Sequence, residues 1–240
     1  MSKLICYGGA GHTTGANFLL EFENPLGSGL QSIKTLIDCG MLQGAGDANT
    51  ENAKKFEYDV ASIDMLFVTH AHIDHVGLIP KLYKEGFRGA IYSTAETKSI
   101  AELLLMDAAK INAQEISPIY GFNDVSNCLA LWQTLPYHTL RDFGGFSVEL
   151  YDAGHVLGSS MIKFTSKNGN TILCTGDIGN SPSPILKDAE KVDGINFLLM
   201  ESVYGDRNHE SKEVRDEKFE RVVRESIERG GTLLIPAFSL

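Results

Sequence analysis

Cysteine is scarce in this 240-residue chain: Cys6, Cys39, Cys128 and Cys174 lie far apart, with no C-x-x-C pair among them. That spacing excludes a dithiol redox motif, a zinc knuckle and a dense disulfide framework, and it leaves buried reduced thiols as the expectation. Long apolar runs are missing too, none approaching the ~18 residues that a membrane-spanning helix requires. The opening segment, MSKLICYGGAGHTTG, turns to glycine too soon to make a secretory core. Both absences point to a cytoplasmic protein with no membrane partner. Basic residues are in deficit, 21 Lys plus Arg against 31 Asp plus Glu, for a formal charge of -10. A broad basic face for nucleic acid is thereby excluded, because phosphate affinity comes mostly from clustered Lys and Arg. A phosphodiester held at a metal centre is not excluded, since bound cations reverse the local field. The loop GGAGHTTG also lacks what nucleotide loops need. Position 14 is Thr where a dinucleotide fingerprint places its third glycine, and no Gly-Lys-Ser/Thr follows.

With 43% apolar residues, 9% aromatics and 24 Gly, the composition is that of a globular chain able to bury roughly 70% of its unfolded surface. Short apolar runs at Lys3 to Tyr7, Asn17 to Glu23 and Ile33 to Asp38, separated by glycine-rich turns, read as strands and hairpins. The unalternated run Asp64 to Thr69 predicts a strand buried on both faces. Ile100, Leu104, Ala108 and Ile111 recur at helical spacing behind Ser93 and Glu96, which predicts a helix from Ala95 to about Ala113 with that stripe and Trp132 in the core. A shorter helix is expected from Asp124 to Leu135. GFSVELYDA, SSMIKFTS and NTILCTG read as strands, the last two joined by a turn at Lys167 to Gly169. INFLLM predicts another strand, Ser211 to Arg229 a charged helix stopped by Gly230 and Gly231, and TLLIPAF a final strand. The pattern is an α/β sandwich of packed sheets flanked by helices, with a boundary near Glu201.

The chemistry concentrates in His70-Ala71-His72-Ile73-Asp74-His75, at the end of the buried strand. In extended chain, residues two apart point the same way, so His70 and His72 can present imidazoles to one metal while Asp74 and His75, on the following turn, can face a second. Nitrogen and oxygen donors at this density suit zinc or another first-row divalent ion better than calcium or magnesium. Further ligands must come from elsewhere. His155 in DAGHVLGS and Asp177 in CTGDIGN both follow predicted strands and are flanked by glycines that allow close approach.

These motifs, in the order LIDCGMLQG, HAHIDHVG, AGHVLGS and TGDIGN, resemble those of the metallo-β-lactamase superfamily over almost the whole chain. The resemblance implies a four-layer αββα sandwich with a dinuclear, zinc-type centre. One metal would take His70, His72 and His155, the other Asp74 and His75, with Asp177 bridging. Asp38 would orient ligands or solvent from outside the ligand set. The segment ESVYGDRNH, a helix and LLIPAFS resemble the start of the β-CASP domain of RNA-processing nucleases similar to the cleavage and polyadenylation nuclease subunit. That implies a metallo-β-lactamase domain over residues 1–200 and the beginning of a β-CASP α/β domain over 201–240. In this reading Glu201 joins Asp74 and Asp177 as a catalytic carboxylate. His12 lines the active-site mouth or is a turn residue, and His209 lies at that mouth or is a plain helix-entry residue.

The function implied is metal-dependent hydrolysis of RNA phosphodiester bonds through a metal-activated water. Two rivals are a small ester or thioester hydrolase of the same fold and a silent RNA-binding or scaffold subunit. The chain also looks truncated inside the β-CASP domain. On that expectation the Asp74 and His75 metal is weak or absent, and the fold is completed by a missing C-terminal part or by a second copy of the chain.

Overall fold

The computed structural model describes residues 2–23, 32–44, 46–183, 185–208 and 211–236. The chain divides into two compact units, Met1–Glu201 and Ser202–Leu240.

Among the described residues, the first unit contains two sheets. Sheet I runs in sequence order: β1 (Lys3–Gly8), β2 (Asn17–Phe22), β3 (Ile33–Ile37), β4 (Met65–Phe67), β5 (Ala90–Ser93) and β6 (Trp132–Thr134). Its first three strands are antiparallel and its last four parallel. Sheet II is ordered β11-β10-β9-β8-β7, from β7 (Arg141–Asp142), β8 (Phe146–Asp152), β9 (Ser160–Ser166), β10 (Thr171–Cys174) and β11 (Phe197–Leu199). Only β10 and β11 pair in parallel there.

Sequence pattern explains the layers. Along β8, Phe146, Val148 and Leu150 are buried while Ser147 and Glu149 are half-exposed, the alternation of a sheet with one face in the core. In β4, by contrast, neighbouring Leu66 and Phe67 are both buried, because sheet I is covered on two sides. Between the sheets, Leu20, Phe22, Ile37 and Phe67 meet Phe146, Val148, Leu150, Ile162 and Phe164. Phe22 stacks on Phe146 with centroids 4.2 Å apart, and Phe67 meets Phe143 and Phe164 edge-on. On the other face of sheet I, Leu36, Leu66, Ile91 and Trp132 pack with residues of α3 (Ile79–Lys84), α4 (Ala95–Asn112) and α5 (Phe122–Ala130). The short α1 (Ala48–Ala53) and α2 (Ile73–Val76) precede them. The outer face of sheet II is covered, among the described residues of this unit, by the segment carrying Val192 and Ile195, which pack on Ala153, Met161 and Leu173. Helix, sheet and sheet follow the expected αββα order, and among the described residues of this unit the fourth layer is this irregular segment in place of a helix.

The second unit holds α6 (Lys212–Glu228), capped by Ser211 and followed by Gly230 at φ +62°, as its sequence predicts. No strand forms over residues 232–236, and 237–240 lie outside the described residues, so TLLIPAF is not the expected strand where it is described. Three further expectations change. The helix expected from Asp124 to Leu135 is α5, ending at Ala130, and Trp132 begins β6 instead. The fully buried face of α4 is Thr97, Ala101, Leu105 and Ala109, one residue round from the predicted stripe, of which Ile100, Leu104 and Ala108 pack half-buried against the core while Ile111 is 60% exposed. Its cap is also Thr94, whose hydroxyl accepts the Thr97 N–H, rather than Ser93. No helix among the described residues is long and apolar enough to cross a membrane.

Candidate metal centre

The site lies where β4, β8 and β10 leave their sheets. Beyond β4 the chain bends at Thr69 and reaches His72, which caps α2, and it brings His70 Nε2 to 3.1 Å from His72 Nδ1. Asp38 follows β3, the parallel neighbour of β4, and its N–H donates to Phe67 O at 2.9 Å. It adopts φ +58°, a left-handed conformation that Asp tolerates better than most residues. Buried to 1% exposure, its carboxylate accepts from Thr69 N, Thr69 Oγ1 and His75 Nδ1, each at 2.8 Å. Two glycines allow the approach of these loops. A Cβ on Gly40 would stand 1.5 Å from Asp74 O, and one on Gly179 would stand 1.8 Å from Gly154 O.

Three imidazoles and one carboxylate converge. His72 Nδ1 is 3.1 Å from His70 Nε2 and 3.2 Å from His155 Nε2. Asp177 Oδ2 is 3.5 Å from His155 Nε2 and 3.8 Å from His70 Nε2. All four donor atoms lie within 4.8 Å of one another. A tetrahedral zinc site with Zn–N bonds of ~2.0–2.1 Å has ligand atoms roughly 3.3 Å apart, so the donor spacing fits such an ion. The tautomers fit as well. Thr69 spends its single hydroxyl proton on Asp38, so its oxygen accepts from His70 Nδ1 at 3.1 Å, and the lone pair of His70 is left on Nε2. Burial, reinforced by the neighbouring imidazoles, holds the His70 pKa well below the usual histidine range. Burial lowers His72 and His155 likewise. Neutral imidazoles are the form that binds metal.

His75 and Asp74 stand beside this set. His75 Nε2 is 3.3 Å from Asp177 Oδ1 and 4.0 Å from Asp74 Oδ2. The two oxygens of Asp177 therefore face different partners, Oδ2 toward His70 and His155, Oδ1 toward His75. Burial disfavours charge on His75, but the charge of Asp38 and the bonds to Asp177 and Asp38 outweigh it and raise the pKa to about 10. These carboxylates call for positive charge at His75 Nε2, which a proton or a divalent cation can supply. Asp177 is lowered because His75 outweighs the burial that would raise it, while burial raises Asp74.

Of the other sequence candidates, Glu201 is brought close: its Oε1 accepts the N–H of Ile178, the residue after Asp177, at 2.8 Å. His12 is exposed and lines a cleft of about 370 Å³ with Tyr7, Asn17 and Tyr58, which none of the six cluster residues lines. His209 lies outside the described residues. Sequence reading missed Thr69. Its signal was a hydroxyl immediately before His70.

A model of the metallo-beta-lactamase superfamily domain matches residues 29–199. The chain is 33% identical over 238 residues to Ribonuclease TTHA0252 of Thermus thermophilus, which covers 99% of this chain and 52% of that protein. It is 34% identical over 240 residues to Cleavage and polyadenylation specificity factor 73 of Drosophila melanogaster, covering 97% of this chain and 33% of the factor. Probable RNase MJ4 of Methanocaldococcus jannaschii is 32% identical over 216 residues, 86% of this chain and 48% of the relative. The chain spans about half the length, or less, of these relatives. Among solved structures, a protein of unknown function from Enterococcus faecalis shares the fold, with a TM-score of 0.56 at 14% identity over 95% of this chain and 57% of that one. The chain belongs to the metallo-β-lactamase superfamily.

Proposed function

We propose that this chain carries the metal-binding core of a hydrolase that cleaves RNA phosphodiester bonds at a dinuclear, zinc-type centre. The observation that carries the reading is the Asp177 carboxylate, placed between two ligand groups with one oxygen toward each. His70, His72, His155 and Asp177 would hold one ion, and Asp74, His75 and Asp177 the other. Divalent ions at such a centre supply a nucleophilic water at neutral pH and neutralise charge growing on phosphoryl oxygens.

The chain's own residues have separable tasks. Asp38 fixes the tautomer and orientation of His75 through Nδ1, and Thr69 does the same for His70. Glu201 restrains the backbone beside Asp177 through Ile178. RNA as substrate is supported by the relatives, which are named as ribonucleases and a cleavage factor. With a net charge of -10, attraction of a polyanion has to come from the local field of the centre.

The test compares wild type with Asp177→Asn on labelled RNA and on a panel of thioesters, using zinc-loaded protein. RNA cleavage by wild type, falling on the order of a thousandfold or more in the variant while circular dichroism stays unchanged, is the expected result. Thioester hydrolysis without RNA cleavage, or a variant with near wild-type turnover, would overturn the reading.

A further inference from the structure

His155 reaches the cluster on a loop between β8 and β9 of sheet II, whereas His70 and His72 follow β4 of sheet I. Hydrogen bonding within either sheet cannot set the 3.2 Å between His155 Nε2 and His72 Nδ1. Contacts that could set it converge on two adjacent serines, Ser159 and Ser160, each 0% exposed.

Ser159 organises the loop that carries His155. Its Oγ accepts the N–H groups of His155 at 3.0 Å and Val156 at 3.2 Å. Its own N–H donates to Val156 O at 3.0 Å, and its carbonyl accepts from Ala153 N at 3.1 Å and the Tyr137 hydroxyl at 2.9 Å. Ser160 crosses to the other sheet. Its N–H and its hydroxyl both donate to the carbonyl of Thr69, the residue before His70, at 2.8 Å and 3.2 Å. The same loop is seated on the start of α4, where the Thr94 and Thr97 hydroxyls donate to Gly158 O at 2.7 Å and 2.9 Å. Gly158 has φ +83°, and a Cβ there would stand 2.6 Å from the Glu96 Cβ, so the seat admits no side chain.

We infer that Ser159 and Ser160 are positioning residues, a buried staple between the sheets that fixes His155 against His70 and His72 and so sets the metal affinity of the cluster. The inference rests on the reading of that cluster as a metal site. Alanine at 159 leaves the N–H groups of the half-buried His155 and Val156 without the acceptor that holds them, which frees the His155 loop. Alanine at 160 keeps the backbone bond to Thr69 and removes only the hydroxyl's, so its effect is smaller.

The 240-residue chain is titrated with Co²⁺ alone, with affinity read by competition against a chelator and ligand geometry read from the visible absorption of bound Co²⁺. Ser159→Ala is expected to weaken Co²⁺ binding by about tenfold to a hundredfold, as loss of groups that orient ligands typically does, and to alter the absorption. Thr171→Ala is the structural comparator. Its hydroxyl is also buried in sheet II, accepting from Asn196 N and donating to Gly194 O, both at 2.9 Å, but it stands at the start of β10 while Asp177 follows the strand's end. That variant should lose stability while keeping wild-type Co²⁺ affinity and absorption. Tyr137→Phe removes only the donor to the Ser159 carbonyl and should weaken binding severalfold; it decides the matter if Ser159→Ala does not fold. Wild-type affinity and absorption in both Ser159→Ala and Tyr137→Phe would overturn the staple. A wild-type chain that takes up no Co²⁺ would overturn the metal reading itself.

Discussion

Replacing Asp38 by asparagine keeps the shape of the side chain but removes its charge and one of its acceptors. The backbone should hold, because asparagine also tolerates φ near +58°. The amide oxygen can satisfy Thr69 N, and the Thr69 hydroxyl can turn to accept from the amide. His75 Nδ1–H then faces an NH₂ group at about 2.8 Å with no acceptor. One hydrogen bond to a charged group is lost in a buried site, which costs about 1.5–3 kcal/mol. Relief in the metal-free protein comes from loss of the Nδ1 proton while Nε2 keeps its own, which leaves no lone pair facing Asp177 and Asp74. Asp38→Asn should therefore lose about 1.5–3 kcal/mol of stability in urea unfolding of metal-free protein. Its zinc affinity by chelator competition should fall about tenfold to a hundredfold. A stability loss under about 0.5 kcal/mol with unchanged zinc affinity would refute this account of Asp38.

The corrected face of α4 predicts that Leu105→Ala costs about 2–5 kcal/mol, whereas Ile111→Ala stays within about 0.5 kcal/mol; denaturant midpoints that reverse this order would contradict the packing. Burial pushes the thiols of Cys39 and Cys174 far up and that of Cys128 up to about 12, while Cys6 is exposed. A thiol reagent should therefore label only Cys6 in the native chain at neutral pH, and all four cysteines after unfolding, as counted by mass spectrometry. Gly40→Ala should fail to build the site, because its Cβ would overlap the Asp74 carbonyl; wild-type zinc affinity in that variant would show that the loops can separate without loss.

What could be read from the sequence was what depends on local pattern. The strand at 65–67 ran straight into the His70 to His75 cluster, and the spacing of two paired His70 with His72, whose Nε2 and Nδ1 stand 3.1 Å apart. His155 and Asp177 stood out because each follows a strand and is flanked by glycine, which is where loops approach closely. Other features depend on partners far along the chain. The buried face of α4 is made of small residues, Thr97, Ala101 and Ala109, around Leu105, and their burial reflects how the helix packs rather than their hydropathy. Strand β6 is three residues long with one buried position, and it exists because it pairs with β5. Residues 232–236 show the converse, since an apolar run becomes a strand only when another strand takes its hydrogen bonds. The roles of Thr69, Ser159 and Ser160 lie in hydroxyl contacts across as many as 91 positions of sequence, which no local pattern encodes.

His70, His72, His155 and Asp177 are proposed to form one metal site, with Asp177 turned toward a second. Elemental analysis of zinc-supplemented, folded protein, combined with anomalous diffraction at the zinc edge, tests it directly. At least one equivalent of metal is expected, with an anomalous peak about 2.0–2.2 Å from His70 Nε2, His72 Nδ1, His155 Nε2 and Asp177 Oδ2. Metal below about a tenth of an equivalent, or a peak away from these four atoms, would contradict it.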